Sequence, residues 1–180
     1  MANLRQIYQK NIIPKLKDEL KLKNQLAVPQ VEKIIINSGI GKEATSDPKF
    51  LEIATADLAK ICGQKPKIIK AMKAISGFKL KIGAPVGLVV TLRKKRMYDF
   101  LDKLINIVFP RIRDFRGVKK SALDKFGNLN LGLSEHIAFP EIKPEQVLKP
   151  FGMQINIVTK AKNRREALAL FKALGIIFEV

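Results

Sequence analysis

The chain has one cysteine, one histidine and no tryptophan in 180 residues. A single cysteine, Cys62, cannot close an internal disulfide. It fits a reducing compartment and, placed at helical spacing, reads as a small core residue. A lone histidine, His136, with no cysteine or second histidine beside it, leaves no zinc site, and no cofactor is implied. Ser134, Glu135 and His136 hold triad residue types, but adjacent residues point in different directions and cannot align as nucleophile, base and orienter. His136 is read as a packed or surface side chain, and no residue is assigned a catalytic role. No apolar run approaches the roughly 20 residues of a membrane span, and the N-terminus shows no secretory h-region. A cytoplasmic protein without a membrane partner is the plain reading. With most of the 10 Phe at periodic positions, an aromatic platform for single strands is missing.

The largest absence is of negative charge. Leu58 to Tyr98 is 41 residues without one Asp or Glu, and it holds 11 Lys or Arg. The whole chain carries +18 with 16 acids, so more than half of the excess sits in under a quarter of the length. Such a field attracts a polyanion and repels itself without one. A pI near 10.1 points to nucleic acid or an anionic membrane surface. Lys outnumbers Arg 26 to 8, which favours mobile point contacts with phosphate over bidentate recognition. At 47% hydrophobic residues the chain buries a core and is no disordered basic tail. Its length suits one domain over residues 1–180, or two small ones.

The pattern of apolar residues predicts mixed secondary structure. Leu4, Ile7, Tyr8 and Ile12 mark an amphipathic helix that Pro14 is expected to end or kink. Val31 to Ser38 reads as a strand stopped by Gly39 and Gly41. Asp47-Pro48 starts a helix with Leu51, Ala54, Leu58 and Ile61 on its apolar face and Gly63 at its end. Lys67 to Lys73 and Val86 to Arg93 are expected strands joined by the loop Ala74 to Pro85. Met97, Phe100, Leu101, Leu104, Ile105 and Val108 mark a helix ending by Phe109, because Pro110 disfavours helical geometry before it. Leu129 to Leu133 and Gln154 to Thr159 alternate as strands. Asn163 with Glu166 opens a last helix that Gly175 closes. The sum is an α+β fold in two layers: a mostly antiparallel sheet, helices packed on one face, the other face open for RNA.

Strand parity says what that open face carries. Val86, Leu88, Val90 and Leu92 share one side of their strand; Gly87, Val89, Thr91 and Arg93 share the other. Gln154 and Asn156 oppose Ile155 and Ile157. Amides, hydroxyls and cations suit a sugar–phosphate backbone; a merely solvated face has the same polarity, and the acid-free run tips the reading to RNA. Ser38-Gly39-Ile40-Gly41-Lys42 fails the P-loop pattern, with Ile36 where the first Gly should be and Glu43 where Ser or Thr should follow the Lys. It is a glycine turn that lets a backbone come close. Phe78, beside Gly77 and Lys79, is either a loop anchor or a stacking side chain. Arg111, Arg113 and Arg116 cluster in one segment with Asp114, as a second partner surface or as a solvated turn.

These segments together resemble a known family. Asn37-Ser38-Gly39-Ile40-Gly41, Gly63-Gln64-Lys65-Pro66, Ser76-Gly77-Phe78-Lys79-Leu80 and Val90-Thr91-Leu92-Arg93 stand in the order found in bacterial large-subunit ribosomal protein five, which binds 5S rRNA. Met97 to Leu101, Pro110 to Gly117, Gly127-Asn128 and Phe139-Pro140-Glu141-Ile142 continue the match along essentially the whole chain. Ser38 stands where the family often has Met, and the turn Lys125 to Leu129 is less glycine- and aromatic-rich than usual. The resemblance implies a non-enzymatic, ribosome-bound protein of the central protuberance, beside 23S rRNA and other 5S-binding proteins. It implies 5S rRNA contacts at Asn37, Gln64 and Thr91, to which the residue reading adds Gly39 of the glycine turn and the cations Lys65, Lys67 and Arg93. It implies a loop toward the P-site tRNA carrying Ser76, Gly77, Phe78, Lys79 and Lys81. Arg111, Arg113, Asp114 and Arg116 would face small-subunit ribosomal protein thirteen in an intersubunit bridge. The competing readings are an RNA-binding module of regulatory or chaperone type off the ribosome and, far behind, an RNA-directed phosphate-ester enzyme.

Overall fold

A computed structural model of the chain describes residues 4–75, 77, 80–113, 115–147 and 149–179. It is a two-layer α+β fold. The strands are β1 (Val31–Gly39), β2 (Lys67–Lys70), β3 (Pro85–Leu92), β4 (Leu129–Leu133) and β5 (Met153–Thr159). They form one antiparallel sheet in the order β2-β3-β1-β5-β4. The chain divides into two compact units. One gathers the residues up to Ile34, Leu92–Leu131 and Asn156 onward; the other gathers Ile35–Thr91 and Gly132–Ile155.

In the first unit, two helices pass through the prolines expected to stop them. Helical geometry runs from Leu4–Ile7 through a π-helical stretch, Tyr8–Ile12, into Ile13–Glu19. The same device recurs in Lys94–Lys103, π-helical Leu104–Val108 and Phe109–Arg111. Ile13 N–H donates to the Tyr8 carbonyl and Phe109 N–H to the Leu104 carbonyl, five residues back in each case, just before Pro14 and Pro110. The widened turn shifts the ladder where proline has no N–H to give, and it eases the clash of the ring with the preceding turn. It also sets the face. An α turn takes 3.6 residues and a π turn more than four, so alternating them keeps Leu4, Tyr8, Ile12 and Leu16 on one buried stripe. Tyr8 O–H donates to the Pro29 carbonyl at 3.0 Å, and its ring lies 6.0 Å from that of Tyr98. Burial raises both phenols above their ordinary pKa.

The last helix, Arg164–Ala173, starts as expected: Asn163 Oδ1 accepts from Glu166 N–H at 2.9 Å. Glu166 returns the bond one residue early, accepting from Lys162 N–H at 2.9 Å. Gly175, at φ +97, ends it.

In the second unit, Asp47 Oδ1 accepts from Lys49 N–H at 2.9 Å and caps the helix Pro48–Cys62. Gly63 closes it at φ +62, a left-handed conformation natural to glycine. Ala54, Leu58, Ile61 and Cys62 are buried, and Leu51 lies less deep than Phe50. Strand β2 stops at Lys70, short of the expected Lys73. Its register with β3 is interrupted between Ile69 and Lys70, where the partner is Pro85, which offers no N–H to continue the ladder.

His136 is buried, as a packed histidine. Its Nδ1 accepts from Phe151 N–H at 3.3 Å, and the two rings stack with centroids 3.9 Å apart. That bond makes Nδ1 the unprotonated nitrogen and leaves the proton on Nε2, which lies 3.9 Å from an Asp57 carboxylate oxygen without a hydrogen-bond partner. Burial lowers the imidazole pKa, against the opposing pull of Asp57. A base whose folded pKa is depressed contributes stability that is present above its unfolded value, near 6.5, and lost as pH falls below it. The melting temperature should therefore drop between pH 7.5 and 5.5, and His136→Gln should flatten that step. A wild-type melting temperature constant over this range would contradict the neutral buried state.

Candidate nucleic-acid interface

The sequence-predicted contacts Asn37, Gly39, Gln64, Lys65, Lys67 and Thr91 all fall in the second unit. Ile36 and Ser38 are buried on one side of β1, while Ile35, Asn37 and Gly39 alternate toward the other. On β3, Leu88 and Val90 are buried, and Val89 and Thr91 are half-exposed on the opposite parity. Lys67 pairs directly with Val89, and directly opposed residues of antiparallel strands share a face. Lys67 therefore joins Val89 and Thr91. Gln64 Nε2 donates to the Thr91 carbonyl at 3.4 Å, which sets the Gly63–Pro66 turn at the end of β3. Lys65 and Lys67 are exposed.

Gly87 lets β3 come close to β1, and Gly41, at the start of the helix Gly41–Ser46 just after β1, lets the chain come close to Val86. A Cβ on Gly87 would lie 3.0 Å from the Ser38 carbonyl oxygen and 4.0 Å from Asn37 Oδ1. A Cβ on Gly41 would lie 3.1 Å from Val86 Cα. On the apolar side, Ser38 Oγ donates to the Gly152 carbonyl at 2.7 Å. Serine thus serves at this wholly buried position by satisfying its hydroxyl on a neighbouring backbone. Gly39 differs from both other glycines: an added Cβ there meets nothing within 4 Å. It is an opening on the polar face.

The loop after β2 is a short hairpin. Ala71 N–H donates to Ala84 O at 2.8 Å, Gly83 N–H to Ala71 O at 2.9 Å, and Ile75 and Leu80 exchange two bonds of 3.1 Å. Gly77 and Lys81 are exposed. Ser76, Phe78 and Lys79 lie outside the described residues. The sequence marks this loop as basic; the structure shows that it is equally apolar, with Met72, Ile75 and Ile82 exposed. The signal for that lay in its Met and Ile content.

The remaining predicted contacts sit in the first unit. Arg93, exposed and in extended backbone, precedes the helix Lys94–Lys103. Lys94 has φ +52, and the first turn holds no acid although a helix N-terminus favours one. Arg111, Arg113 and Arg116 are exposed; Asp114 lies outside the described residues. Their segment is anchored at both ends. Phe109 stacks on Phe115 with centroids 4.8 Å apart. Val118 N–H donates to Ile177 O at 2.8 Å, and Glu179 N–H to Val118 O at 3.0 Å. Gly117, at φ +113, has the Glu179 amide nitrogen where a Cβ would stand, at 2.9 Å. Chemically the surface offers ammonium, guanidinium, amide and hydroxyl groups. Among the described residues no cluster of acids, His and Cys could hold a metal, and no helix is long and apolar enough to cross a membrane.

The chain is similar to known proteins over nearly its whole length. Residues 24–81 match the family model described as ribosomal protein L5, and residues 85–178 match the model of the same family's C-terminus. The chain is 51% identical over 172 residues to the large ribosomal subunit protein uL5 of Mycoplasma mycoides, covering 96% of this chain and 95% of that protein. It is 49% identical over 177 residues to the protein of that name in Syntrophotalea carbinolica, with 98% and 96% covered. Against that of Halothermothrix orenii it is 47% identical over 178 residues, with 99% of each covered.

The glycine geometry makes a paired prediction. Gly87→Ala should push β3 from β1 and lower stability by about 1–3 kcal/mol, as small-to-large changes do in packed sites. Gly39→Ala should change stability by less than about 0.5 kcal/mol, as surface substitutions do. Urea unfolding of both variants checks this; equal midpoints would contradict the close approach.

Proposed function

Because the chain belongs to the family of large ribosomal subunit protein uL5, we propose that it holds 5S rRNA on the polar face of β1 and β3 as part of the large subunit's central protuberance. As a member of that family it is a structural, non-enzymatic component of the ribosome and associates with rRNA. The observation that carries the finer reading is a juxtaposition. Asn37, Gln64, Lys67 and Thr91 share one region of one unit, and the strands and loop that supply three of them lie within the acid-free run from Leu58 to Tyr98.

The physical division of labour follows from residue type. Asn37, Gln64 and Thr91 give directed hydrogen bonds to sugar hydroxyls, phosphates or base edges, which fix register. Lys65 and Lys67 neutralise phosphate without demanding one geometry. Gly39, where an added Cβ meets nothing within 4 Å, keeps the polar face free of a side chain where a backbone comes close. The absence of an RNP1-type aromatic sheet favours a folded RNA, met through shape, phosphate and 2′-hydroxyl. The same reading gives the hairpin around Gly77 and Lys81, with Ser76, Phe78 and Lys79, to the P-site tRNA. It gives Arg111, Arg113, Asp114 and Arg116 to a bridge with small-subunit ribosomal protein thirteen. Partners nearby are 23S rRNA and other 5S-binding proteins of the subunit.

Two measurements test the reading. Asn37→Ala and Thr91→Ala should each weaken 5S rRNA binding by about 1 kcal/mol or more, the value of a lost hydrogen bond to a charged or buried partner, while leaving the melting temperature unchanged. Full-strength binding by both variants would reject the sheet face. In a titration of the protein with 5S rRNA, log affinity should fall against log salt with a slope near −5, for about six phosphates neutralised. A flat response would reject the electrostatic part.

A further inference from the structure

Phe126 is the exposed aromatic ring among the described residues, at 64% of its surface. It stands at the tip of a turn that the chain holds from both sides. One Asp124 carboxylate oxygen accepts from Phe126 N–H at 2.9 Å and Asn128 N–H at 2.8 Å. The other accepts from Asn128 Nδ2 at 2.9 Å. Thr159, buried on β5, donates its hydroxyl to Gly127 O at 2.7 Å, and its N–H donates to Asn128 Oδ1 at 3.2 Å. Gly127 sits at φ +85, and a Cβ there would strike those of Ala167 and Ala161 at 2.9 and 3.1 Å. The turn is therefore seated against the segment Lys160–Lys162 and the start of the last helix. A turn fixed this firmly sets the backbone that carries the exposed phenyl ring ahead of any partner.

The ring's surroundings choose the partner. Lys125 Nζ lies 5.1 Å from the ring centroid. Lys120, Lys160, Lys162 and Arg164 are exposed on the segments the turn packs against. Arg164 Nη2 donates to Lys120 O at 2.6 Å, joining two of those segments. The two acids here are both occupied inward: Asp124 on the turn's own amides, Glu166 on Lys162 N–H. Cations thus face solvent while the carboxylates face backbone. An exposed ring among unneutralised cations has the makings of a stacking platform, on which a base π-face rests while its flanking phosphates meet the ammonium groups.

We propose that Phe126 is the stacking platform of a second RNA-binding surface, which takes one unpaired base with its flanking phosphates on Lys125, Lys162 and Arg164. It shares with the sheet-face reading only that the protein meets RNA, and none of its residues belongs to that face. The probe is a hairpin RNA with an eight-nucleotide single-stranded loop containing 4-thiouridine and no 5S sequence, bound by the full chain. Phe126→Tyr, which keeps a ring, should bind within about twofold of wild type. Phe126→Leu, which keeps apolar bulk without a π-face, should bind about tenfold or more weakly with an unchanged melting temperature. Photocrosslinks should appear in the tryptic peptide beginning at Phe126. Wild-type affinity of the Leu variant, or crosslinks confined to peptides within Ile35–Thr91, would overturn the proposal. So would unchanged RNA binding coupled to weaker retention on large subunits, which would give the ring to a protein. Loss of 5S rRNA binding in Thr91→Ala reports on the sheet face alone, so either reading can fail without the other.

Discussion

The candidate interface depends on one close approach: β3 passes the end of β1 with only hydrogen on the near side of Gly87. A methyl group there would meet the Ser38 carbonyl at 3.0 Å. Strand alternation turns Ser38 to the apolar layer and Asn37 to the polar one, and the Gln64 side chain reaches the Thr91 carbonyl. Strand pairing has a period of two, so a displaced or slipped β3 would trade its polar and apolar faces. The side chains read as RNA contacts are thus held by backbone geometry, and it is their neighbours without side chains that place them.

Charge then distinguishes this face from any half-wet sheet. Exposed cations repel one another over about a Debye length, near 8 Å at physiological salt. A chain that carries 11 Lys or Arg over 41 residues without an acid is less stable alone than with a polyanion beside it. The contrast with the turn at Asp124 and the start of the last helix is informative. There the acids Asp124 and Glu166 are retained, and both are turned onto backbone amides as caps. Hydrogen bonds from Asn128, Phe126 and Gly127 outweigh the effect of burial and hold the Asp124 carboxyl below its ordinary pKa. These two carboxylates shape backbone, and the run from Leu58 to Tyr98 has none.

Much of this was legible in the residues. The caps at Asp47, Gly63 and Asn163, the five strands and the parity of β3 and β5 all follow from local rules that tertiary structure left alone. What could not be read has physical causes. Pro14 and Pro110 stop a regular α-helix, but a π turn ahead of each shifts the ladder, and no residue pattern announces a π turn. Ala71 to Lys73 did not continue the strand past Pro85, a partner known only once the register is. The Gly87 contact reads in sequence as a glycine on the open face, without the distance that makes it necessary. Phe126 lies in a turn legible as Lys125 to Leu129, but nothing in that turn's residues shows that it carries the ring outward. His136 was expected to be packed or exposed; its stacking on Phe151 is a long-range pairing beyond any local signal.

The claim at the centre is that the polar face of β1 and β3, with the Gln64 turn, is where the folded RNA sits. Hydrogen–deuterium exchange of the full chain with and without 5S rRNA tests it most directly. The predicted result is slower exchange confined to Ile35–Gly41, Gly63–Lys67 and Val89–Thr91 within the second unit, with the helix Pro48–Cys62 unchanged. Protection that spares these three segments while the protein is bound would contradict it.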